Sequence, residues 1–306
     1  MRRSPLLTAF FFLLGLIVST DWVEAGTLKI GTVAKDVKEE LKEFEPLAIY
    51  LEGKLAAAGF EKVEIVVLPT AARMTEAFKS GEVDLYVESP LVAARVGNDS
   101  GAVPLVRRWK KGVAEYWSEI VVLSNSAVKT PADLRGRVIA FEDPDSTSGH
   151  LLPRALLLAH GLHIEVLQHA TLSPSPTNVG AVFTLSDETS ILWLLAGRVD
   201  AIATDPTFVR LIAAERPGTV RSIARTISVP RHVVMRAAGM PETQAAQIAE
   251  VLIGMADSDD GRRALAKFGK TDRFDAFPAG VEATFEPIRE QLRLLDAERA
   301  YSGPTQ

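Results

Sequence analysis

The 306-residue sequence has no cysteine. That absence excludes thiol catalysis, disulfide scaffolds, cysteine-ligated metals and a lipid anchor on cysteine. No charge of one sign accumulates either: the net charge is −5, and the basic pairs Arg107-Arg108 and Lys110-Lys111 are short. Nucleic acid is therefore not an expected partner. A P-loop (GxxxxGK followed by Ser or Thr) and a GxSxG elbow are both missing, which removes the two most legible hydrolase signatures. Beyond the N-terminal segment, no apolar run approaches the about 20 residues of a membrane span.

What is present begins with MRRSP, then the thirteen uncharged residues LLTAFFFLLGLIV, then Val23-Glu24-Ala25 before Gly26. This is the layout of a secretory signal peptide over residues 1–25, with cleavage expected near Ala25. An uncleaved anchor is the alternative, and the run is short for one. The expected product is a soluble exported protein in the periplasm. With 47% hydrophobic and 24% charged residues, it has enough chain for one large or two medium domains that rely on core burial rather than disulfides.

From LKIGTV onward, strand-like and helix-like segments alternate. Phe44, Leu47, Ala48, Leu51 and Leu55 fall at helical spacing before Gly59, and KVEIVVLP, VDLYVE and VPLVRRW read as strands. Thr70 and Ser89-Pro90 open the intervening helices. This β-α-β order predicts a parallel sheet covered on both faces. The long extended segment EYWSEIVVLS leads to a second α/β unit over residues 119–220, containing RVIAFE, VGAVFTLS and DAIATD. Residues 241–269 read as one helical region. FEPIREQLRLLDAERA reads as an amphipathic helix packed on a lobe. GEVDLYVESP and GRVDAIATDP echo one another, as two equivalent lobes would.

In parallel sheets, ligands sit where strands give way to helices. DPDSTSG lies at such a place. Ser146, Thr147 and Ser148 offer hydroxyls, Gly149 lets backbone approach closely, and a helix entered at Ser148 presents unpaired N–H groups to an oxyanion. A serine serving only as a helix cap is the simpler reading. Tyr86, Glu88 and Ser89 lie at another strand end, and Asp187 and Asp205 at two more, where each also suits a helix cap. A Ser148–His150 pair fails as a nucleophile and base because neighbouring helical positions face apart. His160, His163 and His169 lack the further ligands that zinc needs. Glu88 with Asp187 as a glycosidase pair is a minor alternative.

The ordered succession LKIGTV, FEPLAIYLEGKL, AFKSGEVDLYVESP, LRGRVIAFEDPDSTSGHLLPRALL and LLAGRVDAIATDP resembles the phosphate/phosphite/phosphonate family of periplasmic substrate-binding proteins of ABC transporters, over about residues 27–270. The resemblance implies a type II two-lobe α/β fold, each lobe a helix-flanked mixed sheet, joined by two crossing strands. Lobe 1 would be 27–118 and 226–306, and lobe 2 would be 119–225. EYWSEIVVLS and the segment near Arg221–Arg225 are the candidate crossings. It implies a monomeric binder, not an enzyme, with no cofactor or metal, that holds a small phosphorus oxyanion between the lobes and delivers it to an inner-membrane permease. A sensing module for a receptor kinase would look the same. The chain departs from the family at Ser186-Asp187, where a Ser-His pair is common, and at Glu88. Both departures place carboxylates at an anion site. They leave open a protonated ligand, an amine-bearing ligand, or a reassigned scaffold.

Overall fold

The four-residue runs Val138–Phe141 and Ala201–Thr204 are buried at every position. Strands covered on both faces must be apolar throughout rather than alternating. Around such strands the computed structural model, which describes residues 26–302, forms two six-stranded sheets and a two-stranded ribbon. The expected signal peptide lies outside the described residues.

In chain order, β1 (Gly26–Val33), α1 (Val37–Glu52), β2 (Phe60–Leu68), α2 (Ala71–Ser80), β3 (Leu85–Glu88), α3 (Pro90–Ser100) and β4 (Val103–Lys110) open the first lobe. The second contains β6 (Glu119–Leu123), reached through β5 (Glu115–Tyr116), then β7 (Val138–Phe141), α4 (Leu152–Ala159), β8 (Ile164–Val166), β9 (Val179–Phe183), α5 (Asp187–Leu195), β10 (Ala201–Thr204), α6 (Pro206–Glu215) and β11 (Val220–Arg225). The chain returns through β12 (Val229–Pro230) to β13 (His232–Arg236), α7 (Glu242–Gly254), α8 (Asp259–Lys267), β14 (Thr271–Asp275) and α9 (Val281–Ser302).

The sheet orders are β14-β4-β13-β3-β1-β2 and β11-β6-β10-β7-β9-β8. The parallel expectation holds for β1 with β2 and β3; β4 runs in the same direction but pairs only with antiparallel neighbours. The returning strand β13 inserts between β3 and β4 and runs antiparallel to both. Its partners lie more than a hundred residues upstream, so no local pattern announces the insertion.

The second crossing also differs from expectation. Arg221–Arg225 belongs to β11 and pairs with β6 at a sheet edge. The actual connection is the antiparallel ribbon of β5 and β12, with Tyr116 opposite Val229. EYWSEIVVLS therefore splits at Trp117-Ser118 into a crossing strand and a sheet strand. The helical region 241–269 is likewise broken. Ser258 caps α8 by accepting from the Gly261 N–H, and a Cβ at Gly261 would stand 2.0 Å from the Met255 carbonyl oxygen.

The last helix packs against both lobes rather than one. Phe285, Ile288, Leu292 and Leu295 of α9 share a core with Leu91 and Val92 of α3 and with Leu152 and Ala155 of α4. Each fully buried leucine contributes roughly 1.5–3 kcal/mol, so α9 is a substantial tie across the seam.

Candidate functional site

The carboxyl ends of β1 and β3 in one lobe and of β7, β9 and β10 in the other border a cleft of about 620 Å³. Ser146, Thr147, Ser148, Glu88, Ser89, Asp187 and Asp205 all line it. Sequence reasoning thus brought together side chains from four separate loops.

Ser146, not Ser148, caps the DPDSTSG helix. Its Oγ accepts from the Gly149 N–H at 2.9 Å and donates to Glu142 Oε2 at 2.6 Å. The first turn is wide: the Leu151 N–H reaches the Ser146 carbonyl at 2.9 Å, and the Leu152 N–H reaches that of Thr147. Widened turns of this kind often mark functional positions. Here the turn sends the buried Thr147 hydroxyl across the cleft, where it donates to Ser89 Oγ at 3.0 Å. The Tyr116 hydroxyl, from the crossing ribbon, lies near the Thr147 and Ser148 hydroxyls in the same cleft. Four hydroxyls from both lobes and the connection between them thus converge. Ser89 can take part because its side chain makes no capping bond to α3.

Two expected site residues act indirectly. Tyr86 is fully buried and does not line the cleft; its hydroxyl donates to Glu88 Oε2 at 3.2 Å and so positions that carboxylate. Gly149 does not line the cleft either. Its N–H is taken by Ser146, and a Cβ there would meet Glu142 Cβ at 2.5 Å and Oε2 at 2.6 Å. The glycine makes room for a carboxylate of the chain itself rather than for a ligand.

The electrostatics are dominated by acids. Burial raises the Glu88 carboxyl above its ordinary range, against the pull of the Ser89 N–H at 2.6 Å. Asp187 is pushed up to about 7, first by burial and then by the charge of Glu142, with a bond from Thr204 Oγ1 at 2.7 Å opposing the shift. Asp187 does not cap α5; Ser186 does, accepting from the Thr189 N–H. Asp205 does cap α6, accepting from the Thr207 N–H at 2.6 Å, while its other oxygen lies 3.9 Å from Arg231.

Lys35, Lys111 and Arg231 are the cleft's cations, facing seven carboxylates among the lining residues. Arg231 lies over the Tyr116 ring at 4.3 Å. Lys35 reaches Asp143 of the opposite lobe at 3.4 Å. Arg73 meets Glu82 at 3.4 Å and does not line the cleft.

Sequence reasoning missed Tyr116, Glu142 and Arg231. Tyr116 and Arg231 reach the cleft because of where the crossing ribbon passes, and Glu142 because it directly follows β7. His150 is unsuited to serve as a base for Ser148: its Nδ1 is 2.7 Å from the Pro144 carbonyl oxygen, and its ring packs against Phe141 and Phe183. Among the described residues, no group of three or more His, Cys, Asp or Glu could hold a metal ion, and no helix is long and apolar enough to cross a membrane.

The sequence profile of the ABC transporter, phosphonate, periplasmic substrate-binding protein family matches residues 30–278. The chain belongs to this family. Its members bind substrate for transport and are not enzymes, and the two-lobed mixed α/β architecture is the type II periplasmic-binding fold.

Among curated relatives, a stretch of 117 residues is 36% identical to an Escherichia coli (strain K12) protein named for aliphatic-sulfonate binding, covering 37% of this chain and 34% of that one. A stretch of 180 residues is 26% identical to the phosphate-import protein PhnD of Mycolicibacterium smegmatis, covering 57% of this chain and 54% of that one. The chain therefore spans about a third and about half the length of these two relatives. XAC2383 of Xanthomonas citri, solved with chloride, superposes with a TM-score of 0.80 at 25% identity, covering 89% of this chain and 99% of that one. The same protein has also been solved with ATP.

Proposed function

We propose that the cleft captures a small organophosphorus anion that also carries an ammonium group, and that the protein presents it from the periplasm to an ABC permease in the inner membrane. The observation that carries this reading is the pairing, within one cleft, of the Ser89–Thr147–Tyr116–Ser148 hydroxyls with the carboxylates of Glu142, Asp187 and Asp205. Neutral hydroxyls can grip a phosphonate without any formal positive charge. Carboxylates close to a bare dianion would repel it by roughly 4 kcal/mol per pair at 4 Å and an effective dielectric near 20. An ammonium on the same ligand reverses that sign. Membership of the phosphonate family supports both the ligand class and the transport role.

Isothermal titration of ligand-free protein tests this. The panel is 2-aminoethylphosphonate, methylphosphonate, inorganic phosphate, an aliphatic sulfonate and ATP. The last two follow the names of a relative and a structural neighbour. The aminophosphonate is expected to bind at least tenfold more tightly than methylphosphonate. Preference for ATP or the sulfonate, or no heat with any phosphorus compound, would overturn the ligand assignment.

A further inference from the structure

Behind the cleft lies a second cavity of opposite character. It holds about 380 Å³ and is walled by α3, the turn before α4, α4 itself and α9. Arg95 of α3, Arg154 of α4 and Arg299 of α9 all line it, and Asp145 is the only carboxylate among its lining residues. His150 adds no charge: burial pushes its pKa down to about 4, and its Nε2 stands 3.3 Å from Arg154 Nη1. Arg154 Nε is satisfied by Glu298 Oε2 at 2.7 Å.

Arg95 is not so well served. Its Nη2 is buried without a hydrogen-bond partner among the described residues, and Asp296 Oδ1 is 3.7 Å away, beyond hydrogen-bond reach. Burial first, and then the charge of Arg299, disfavour its cationic form. A guanidinium that stays charged in such a place needs an anion.

We propose that Arg95, Arg154 and Arg299 form a second anion site that takes a small oxyanion and ties the two lobes to the C-terminal helix. Guanidinium groups from three helices suit an oxyanion, since their planar donors match its oxygens. The site is separate from the ligand cleft, sharing only Asp145 among lining residues. Because α3 belongs to one lobe and α4 to the other, an anion held there favours the closed arrangement. By reciprocity, cleft ligand and cavity anion then tighten one another.

Inorganic phosphate is the probe, titrated at constant ionic strength by calorimetry and by thermal unfolding. Wild type is compared with Thr147→Val in the cleft and with Arg95→Gln and Arg299→Gln in the cavity. Phosphate binding, and the rise in Tm it produces, should survive Thr147→Val and weaken at least tenfold in each arginine variant. Binding lost in Thr147→Val but kept in both arginine variants would mean phosphate occupies only the cleft, and the proposal fails. No binding to wild type also sinks it. A crystal structure of wild-type protein grown in phosphate covers the case in which a variant misfolds: density in the cavity supports the site, and a cavity without phosphate overturns it.

Discussion

The Thr147 hydroxyl donates to the Ser89 hydroxyl at 3.0 Å, joining two residues 58 positions apart and on opposite lobes. Both side chains are nearly or fully buried. The contact therefore marks a point where the lobes meet inside the cleft.

Thr147→Val keeps the shape of the side chain and removes the donor. Losing a buried hydrogen-bonding group costs about 1–3 kcal/mol, so affinity for the aminophosphonate should fall roughly 5- to 150-fold with the fold unchanged. Calorimetry measures the loss, and unaltered affinity would place the ligand elsewhere.

Asp187 makes stability depend on pH. Its pKa of about 7 in the folded chain lies above the about 3.9 of a free aspartate. Between those values the folded state binds more protons than the unfolded state, so the Asp187 contribution to stability falls as pH rises through this window. Asp187→Asn cannot ionise and still offers an acceptor to Thr204. Its stability relative to wild type should therefore be higher at pH 8 than at pH 4, read as the difference in denaturant midpoint at each pH. The same variant should bind the aminophosphonate more weakly and phosphate more tightly.

Gly149→Ala should destabilise the protein by about 1–3 kcal/mol, the usual cost of overpacking, because the new methyl meets the Glu142 side chain. Glu142→Gly, which removes both that Cβ and the carboxylate, combined with it should recover part of that loss. Chemical denaturation of the two single variants and the double variant measures the coupling. Additive effects would show that the clash is relieved in some other way.

Glu298 of α9 is buried, accepting from Arg154 Nε at 2.7 Å and from the Ile164 N–H at 3.3 Å. Glu298→Ala strands a partly buried guanidinium, a change that typically costs 3–5 kcal/mol. The expected result is a marked drop in Tm; a drop no larger than that of an exposed control such as Glu290→Ala would mean that α9 contributes little to the tie between lobes.

Much of the fold is legible because its periodicities are local. Capping by Thr70 and Asp205 follows from residue type and position alone, and the apolar runs of β7 and β10 announce double-sided burial. The candidate site was partly legible for the same reason: strand ends followed by Ser, Thr and Asp are local signals. Tyr86 stays out of the cleft lining because side-chain direction at a strand end depends on packing, and Gly149 because its N–H is taken by Ser146 and its open face is filled by Glu142. The roles of Tyr116 and Arg231 depend on where the crossing ribbon passes, which no window of neighbouring residues encodes.

The sequence by itself determined the alternation of strands and helices, the hydroxyl-rich turn and the excess of acids near it, since these follow from composition, spacing and capping chemistry. Only the tertiary structure decided that β13 enters the first sheet antiparallel, that α9 spans both lobes, and that acids gather in the cleft while arginines gather behind it. The physical reason is range. Backbone preferences act over a few residues, whereas Thr147 finds Ser89, and Arg154 finds Glu298, only after burial of apolar surface has closed the chain over distances of 58 and 144 residues.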